Sequence, residues 1–212
     1  MRRGELTRDR VLAAALGLLE SEGEGALSMR RVAAQLGTAP MSLYRHVRDK
    51  SDLIDGVIAL ALGEVSSLPP QGADWSERSI AWMRGLRCEL NRHPSIVPLF
   101  RSNHLLLPSV LAPVEVLLSD LCASGFERSK AGRVAWEMLW FTTSFVLAEQ
   151  RAQESAQPAA FVAFATAETH AEELPLLAKT LPDLLGLDGD DVFESGSRHL
   201  VAGIRAEYLS RS

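Results

Sequence analysis

The sequence predicts an all-α fold: a three-helix helix-turn-helix head followed by a larger helical bundle. Three observations carry this. The stretch from Leu27 to Leu53, LSMRRVAAQLGTAPMSLYRHVRDKSDL, reads as two short helices joined by a glycine turn, with a further helix starting at its end. Apolar residues recur at three- and four-residue spacing through most of the remaining chain. No stretch alternates apolar and polar residues as a half-buried strand would, and no internal repeat is found.

The first helix is expected over Thr7 to Glu22. Thr7 suits its N-cap, and Val11, Ala15, Leu18 and Leu19 give it an inward stripe. Gly23 and Gly25 end it. Arg8 or Arg10 on this helix is expected to reach a phosphate backbone. The second helix runs from Ser28, its cap, to Leu36, with Leu27, Val32 and Leu36 on one side. Gly37 stops it. Thr38 is expected to cap the third helix, and Pro40 fits its first turn. Leu43 and Val47, four apart, face inward; Met41, Ser42 and Arg45 then face outward, with Tyr44 and His46 on the flanks. Asp49 caps a fourth helix over Lys50 to Ser66, with Asp52 in its first turn and Leu53, Val57, Leu60 and Ala61 on its buried side.

Ser66 to Asp74, with Pro69, Pro70 and Gly72, reads as a linker. Beyond it, helices are expected at Trp75–Arg92, Ile96–Arg101, Pro108–Ser124 and Ser129–Gln153. The last of these is apolar on more than one side and must be covered on all of them. Gln153 to Ala171 reads as a loop, followed by a weak helix over Glu168–Leu181 and a closing helix over Asp190–Leu209. The chain therefore divides into a head (1–49), a connecting helix (50–68) and a helical body (69–212).

Charge is unevenly distributed. The net charge is −5, yet residues 1–50 hold nine Lys/Arg against six Asp/Glu, a balance of +3; the rest holds thirteen against twenty-one, a balance of −8. A basic head on an acidic body fits local contact with DNA rather than a surface coated in it. Cys88 and Cys122 are the two cysteines and form no CxxC pair, so they are expected as free buried thiols. The N-terminus, MRRGELTRDR, leads straight into a helix and does not read as a signal peptide. The most apolar run, Val134–Ala148, is interrupted by Glu137, Thr142, Thr143 and Ser144 and is too short and polar for a membrane span. A cytoplasmic protein without membrane contact is expected.

In a helix-turn-helix unit the second helix enters the major groove. Arg30, Arg31, Arg45, Arg48 and Lys50 crowd this window against Asp49 and Asp52. A solvated helical hairpin would share the periodicity; the basic crowding is what points to double-stranded DNA. Arg45, on the outward phase, is expected to read a base edge, with guanine its natural partner. Ser42, Tyr44 and Lys50 are expected to hold phosphates, Lys50 beside the exposed N–H groups that open the fourth helix. One head spans only a few base pairs, so a homodimer is expected, its heads about 34–36 Å apart. Trp136, Trp140, Phe141 and Phe145 are too many aromatics for one small core, and some should meet a partner. The body is expected to hold a small apolar or aromatic molecule, walled by Trp82, Leu86, Phe100, Met138, Trp140 and Phe141, with Asn103, His104 and Thr143 orienting it. An enzyme is not expected: the five histidines are scattered, and HExxH, GxSxG, phosphate-loop and dinucleotide patterns are absent. An architectural DNA clamp without an effector is the alternative, which the hydrophobic body argues against.

The turn EGEGALS, then MRRVAAQLG, then SLYRHVRDKSDL resemble the TetR family of transcriptional regulators, and LY-x-HV-x-x-K resembles its tetracycline-repressor subgroup. The specific match covers residues 7–60, with fainter similarity around Leu121–Phe126 and Phe145–Gln150. The resemblance implies a DNA-binding head, a ligand-binding body, a homodimer built on the last long helices and operator release by a small molecule. By position it gives Arg30 a base contact, Pro40, Met41, Ser42, Tyr44, Arg45 and His46 the recognition-helix roles, and Lys50 a phosphate. Ser28 and Thr38 complete the expected DNA-contacting set. Phe100 stands where that subgroup has a metal-coordinating histidine, and the fourth helix has no matching histidine either. A magnesium–tetracycline chelate is therefore not the expected ligand, and neither metal nor cofactor is expected.

Overall fold

The computed structural model describes residues 5–66, 74–101, 107–154, 171–185 and 187–208. Among them are nine α-helices and no strand: α1 (Arg8–Glu22), α2 (Met29–Gln35), α3 (Pro40–Leu43), α4 (Lys50–Ala61), α5 (Trp75–Arg92), α6 (Pro108–Ala123), α7 (Arg128–Glu154), α8 (Pro175–Leu185) and α9 (Gly189–Tyr208). Short 3-10 segments lie at Glu24–Ala26, Gly63–Ser66 and Pro94–Arg101. The chain forms two compact units, Met1–Leu139 and Trp140–Ser212.

In the first unit, three helices begin on the side-chain caps the sequence supplies. Thr7 accepts the Arg10 N–H, Ser28 the Arg31 N–H and Asp49 the Asp52 N–H, the last at 2.8 Å. Gly37 sits at φ +62° just after α2, a backbone that a side chain would strain, and this lets the chain reverse into α3. Thr38 does not cap α3. Ala39 holds that position with no side-chain bond, because Pro40 occupies the first helical position. Val11, Ala15, Leu19, Leu27, Val32, Leu43 and Val47 close the core of the head.

The helix α4 packs on both α1 and α6. At Gly56 it approaches α1 so closely that a methyl there would lie 2.6 Å from Leu12 Cδ2. It stops at Ala61 and gives way to a 3-10 turn, earlier than expected. Leu60 is half-exposed rather than buried, being on the flank of a stripe that runs through Ile54, Val57, Ile58 and Ala61. In α5, Trp82, Met83, Leu86 and Leu90 are buried, and the Trp82 indole N–H donates to the Pro113 carbonyl of α6 at 2.9 Å. Cys88 is exposed and Cys122 half-buried, correcting the expectation of buried thiols; Cys88 lies opposite the buried stripe of α5.

Along α7 the buried line runs through Ala131, Val134, Met138, Thr142 and Val146. Trp136 and Trp140 fall on the other side, and Trp140 is 68% exposed. Trp140 was expected in the wall of an internal cavity; its helical phase turns it to the surface instead. In the second unit, Phe193 stacks on Phe141 at 5.6 Å and meets Phe145 edge-on at 5.2 Å. Ser197, Val201 and Ile204 continue the buried side of α9. The weak helix begins at Pro175 rather than Glu168, since proline suits a first turn. Most of the expected Gln153–Ala171 loop lies outside the described residues, as do Asn103, His104 and the side chain of Phe100. No helix of the described residues is long and apolar enough to cross a membrane.

Candidate nucleic-acid interface

The outer face of α3 follows from its inner one. Leu43 and Val47 are sealed in the core, each contributing on the order of 1.5–3 kcal/mol by burial, and this fixes the rotation of the helical turn. The Val47 N–H bonds the Leu43 carbonyl at 2.9 Å, so the turn continues past Leu43. Met41 and Arg45, one turn apart, then point away from the head; Met41 is 74% exposed. Ser42 and His46 are half-buried at one flank, and Tyr44 is exposed on the other. Pro40 is exposed at the start of the turn, with Thr38 half-buried before it.

The cations of this window divide into two groups. Arg31 is paired with Glu22, and Arg48 with Asp52 at 3.6 Å. Arg30, Arg45 and Lys50 are exposed and make no ion pair with a described residue. Exposed cations without an ion-pair partner are available to phosphates and base edges. Lys50 stands in the first turn of α4, where the helix dipole also favours an anion. Ser28 spends one lone pair on its cap and stays partly accessible.

A bracket that sequence reasoning missed holds this face in place. Arg8 or Arg10 was expected at the phosphate backbone. Arg8 donates to the His46 carbonyl at 2.6 Å and to Asp52 at 2.8 and 3.3 Å. Arg10 donates to the Glu5 carbonyl at 2.7 Å. Asp52 also accepts the Arg48 N–H at 2.8 Å. One carboxylate thus ties the end of the recognition turn to α1 and α4. The Arg8 guanidinium and the Arg48 amide hold Asp52 down at about 2, well below an ordinary carboxylate. The spacing Asp49-x-x-Asp52 was the available signal; nothing local pointed to Arg8.

The expected ligand-wall residues are divided between the two units. Trp82, Leu86 and Met138 are buried in the first unit, Phe141 belongs to the aromatic cluster of the second, and the Thr143 hydroxyl donates to the carbonyl of Trp140 at 3.4 Å. A groove of about 300 Å³ between α1 and α2 is lined by Leu18, Ser21, Glu22, Arg31, Ala34 and Gln35, none of them expected in that wall.

A helix-turn-helix head that presents unpaired cations beside its recognition turn, carried on an all-helical chain, defines a DNA-binding transcriptional regulator. Comparison with known proteins gives the family. Residues 11–57 match the profile of bacterial regulatory proteins of the tetR family, and residues 68–208 that of the tetracyclin repressor-like C-terminal domain. An HTH-type transcriptional regulator of Saccharopolyspora erythraea is 33% identical over 95% of this chain and 85% of its own length. The class A tetracycline repressor of Escherichia coli is 28% identical over 97% and 93%. Apo ActR from Streptomyces coelicolor superposes with a TM-score of 0.82 at 30% identity over 98% of both chains, and ActR in complex with actinorhodin with 0.83 over 97% and 98%. The chain belongs to the TetR family of transcriptional regulators.

Proposed function

We propose that the protein is an effector-released repressor that binds a palindromic operator as a homodimer in the cytoplasm. The observation that carries this reading is the outer face of the head: Met41 and Arg45 stand opposite the buried Leu43 and Val47, flanked by the unpaired Arg30 and Lys50. Arg45 reads guanine, Arg30 a neighbouring base, and Ser28, Thr38, Pro40, Ser42, Tyr44, His46 and Lys50 position the phosphate backbone. The exposed Trp136 and Trp140 face of α7 meets a second copy, which sets the two heads about 34–36 Å apart. The effector is a small apolar or aromatic compound held by the body, with Trp82, Leu86 and Met138 in its wall. The ActR complexes with actinorhodin and with (S)-DNPA support a small-molecule effector, the latter structure at 30% identity over 95% of this chain.

The test is fluorescence anisotropy on duplexes selected from a random pool. Arg45→Ala should weaken the selected operator by about 1–3 kcal/mol and relax preference at one position per half-site. Unchanged affinity and preference would remove the base-reading role. Actinorhodin, used as a probe, should lower operator affinity of the wild type.

A further inference from the structure

The proposed operator contact names no partner on the DNA for Met41, an exposed apolar residue of the recognition turn. Met41 shows 74% of its surface, more than Tyr44 or Trp140. Scattered exposed apolar side chains are ordinary. This one, however, lies on the face that Leu43 and Val47 turn outward, one helical turn before Arg45. An apolar side chain in a major groove has one apolar feature to meet on a base edge, the 5-methyl group of thymine. We infer that Met41 reads a thymine methyl, and that each half-site therefore carries a thymine near the guanine read by Arg45. This rests on the DNA-binding reading above and adds a second base to it.

The spacing follows from the helix. Four residues rise about 6 Å, and base pairs are about 3.4 Å apart, so the thymine lies one or two base pairs from the guanine. Methionine suits the task because its unbranched thioether can lie against a methyl without demanding one rotamer.

Uracil makes a clean probe, since it lacks only the methyl and keeps every hydrogen-bonding group of thymine. An operator is first selected from random duplexes with the wild-type protein, and each thymine is then replaced by uracil. One position in each half-site should weaken binding by about fourfold, the worth of one buried methyl. Met41→Ala, a change at an exposed site, should bind the thymine and uracil duplexes equally, and Met41→Leu should recover most of the difference. An operator with no uracil-sensitive position within two base pairs of the Arg45 guanine would overturn the inference. So would a Met41→Ala protein as sensitive to uracil as the wild type. A wild type that selects no sequence at all would instead overturn the DNA-reading proposal, and this inference with it.

Discussion

Replacing Asp52 by asparagine tests whether the recognition turn is held from behind. The carboxylate accepts from both terminal nitrogens of Arg8 and from the Arg48 N–H, while Arg8 also holds the His46 carbonyl. Depression of Asp52 from 3.8 to about 2 is worth at most about 2.5 kcal/mol. Arg8 is 43% exposed, so solvent screening trims this to about 1 kcal/mol. That figure already contains the bond to the Arg48 amide. Asp52→Asn should therefore lower urea-unfolding stability by about 1 kcal/mol at pH 7 and speed amide exchange at Arg48. The folded-state carboxylate titrates below its ordinary value. Its stabilisation is thus complete above about pH 5, shrinks from about pH 4, and is lost as pH falls through about 2. The gap between wild type and variant should narrow over that range. A gap that is absent at pH 7, or that stays constant down to pH 2.5, would refute the bracket.

Three further outcomes are expected. Gly56→Ala should cost about 1 kcal/mol in urea unfolding, because its methyl would lie 2.6 Å from Leu12 Cδ2 and the buried Leu12 side chain must shift to admit it. Trp140→Glu, at an exposed site on α7, should leave helicity by circular dichroism intact while sedimentation moves from dimer to single chain; a wild type that sediments as a single chain would end the dimer proposal. Asp55→Ala removes the acceptor of the Ser109 N–H and should leave operator affinity within about twofold while, on the proposed reading, weakening the coupling of about 1–3 kcal/mol by which a small molecule in the body releases the operator, read as anisotropy against added compound.

What could be read from the sequence was local. The caps Thr7, Ser28 and Asp49 each act on an N–H three residues ahead, so their residue types sufficed. The outward phase of Met41 and Arg45 followed from Leu43 and Val47 four apart. Errors arose where a distant partner or a competing neighbour decided. Arg8 and Asp52 are 44 residues apart, and an arginine on a basic head reads equally well as a phosphate contact. Thr38 lost the cap to Ala39 because Pro40 fixed the register. Trp140 could not be assigned a side from its neighbours, since α7 is apolar nearly all round and periodicity then carries little information. Cys88 followed the usual burial of cysteine rather than the phase of α5, which places it opposite Met83 and Leu86.

The helix α4 explains how the four-residue α3 can hold a fixed outer face. Alone, α3 is too short to hold its shape, and it lacks a side-chain cap. Its rigidity comes from its surroundings: Asp52 fastens its far end to α4, and Arg8 fastens the same end to α1. One turn further along α4, Asp55 accepts the Ser109 N–H at the start of α6, at 3.0 Å. Glu20 of α1 meets His93, just past α5, at 2.9 Å. The head is thus joined to α5 and α6 by two polar ties as well as by the apolar packing of Leu53, Val57 and Ile58. Because Asp52 and Asp55 stand on one helix three residues apart, α4 links the start of α6 to the end of the recognition turn.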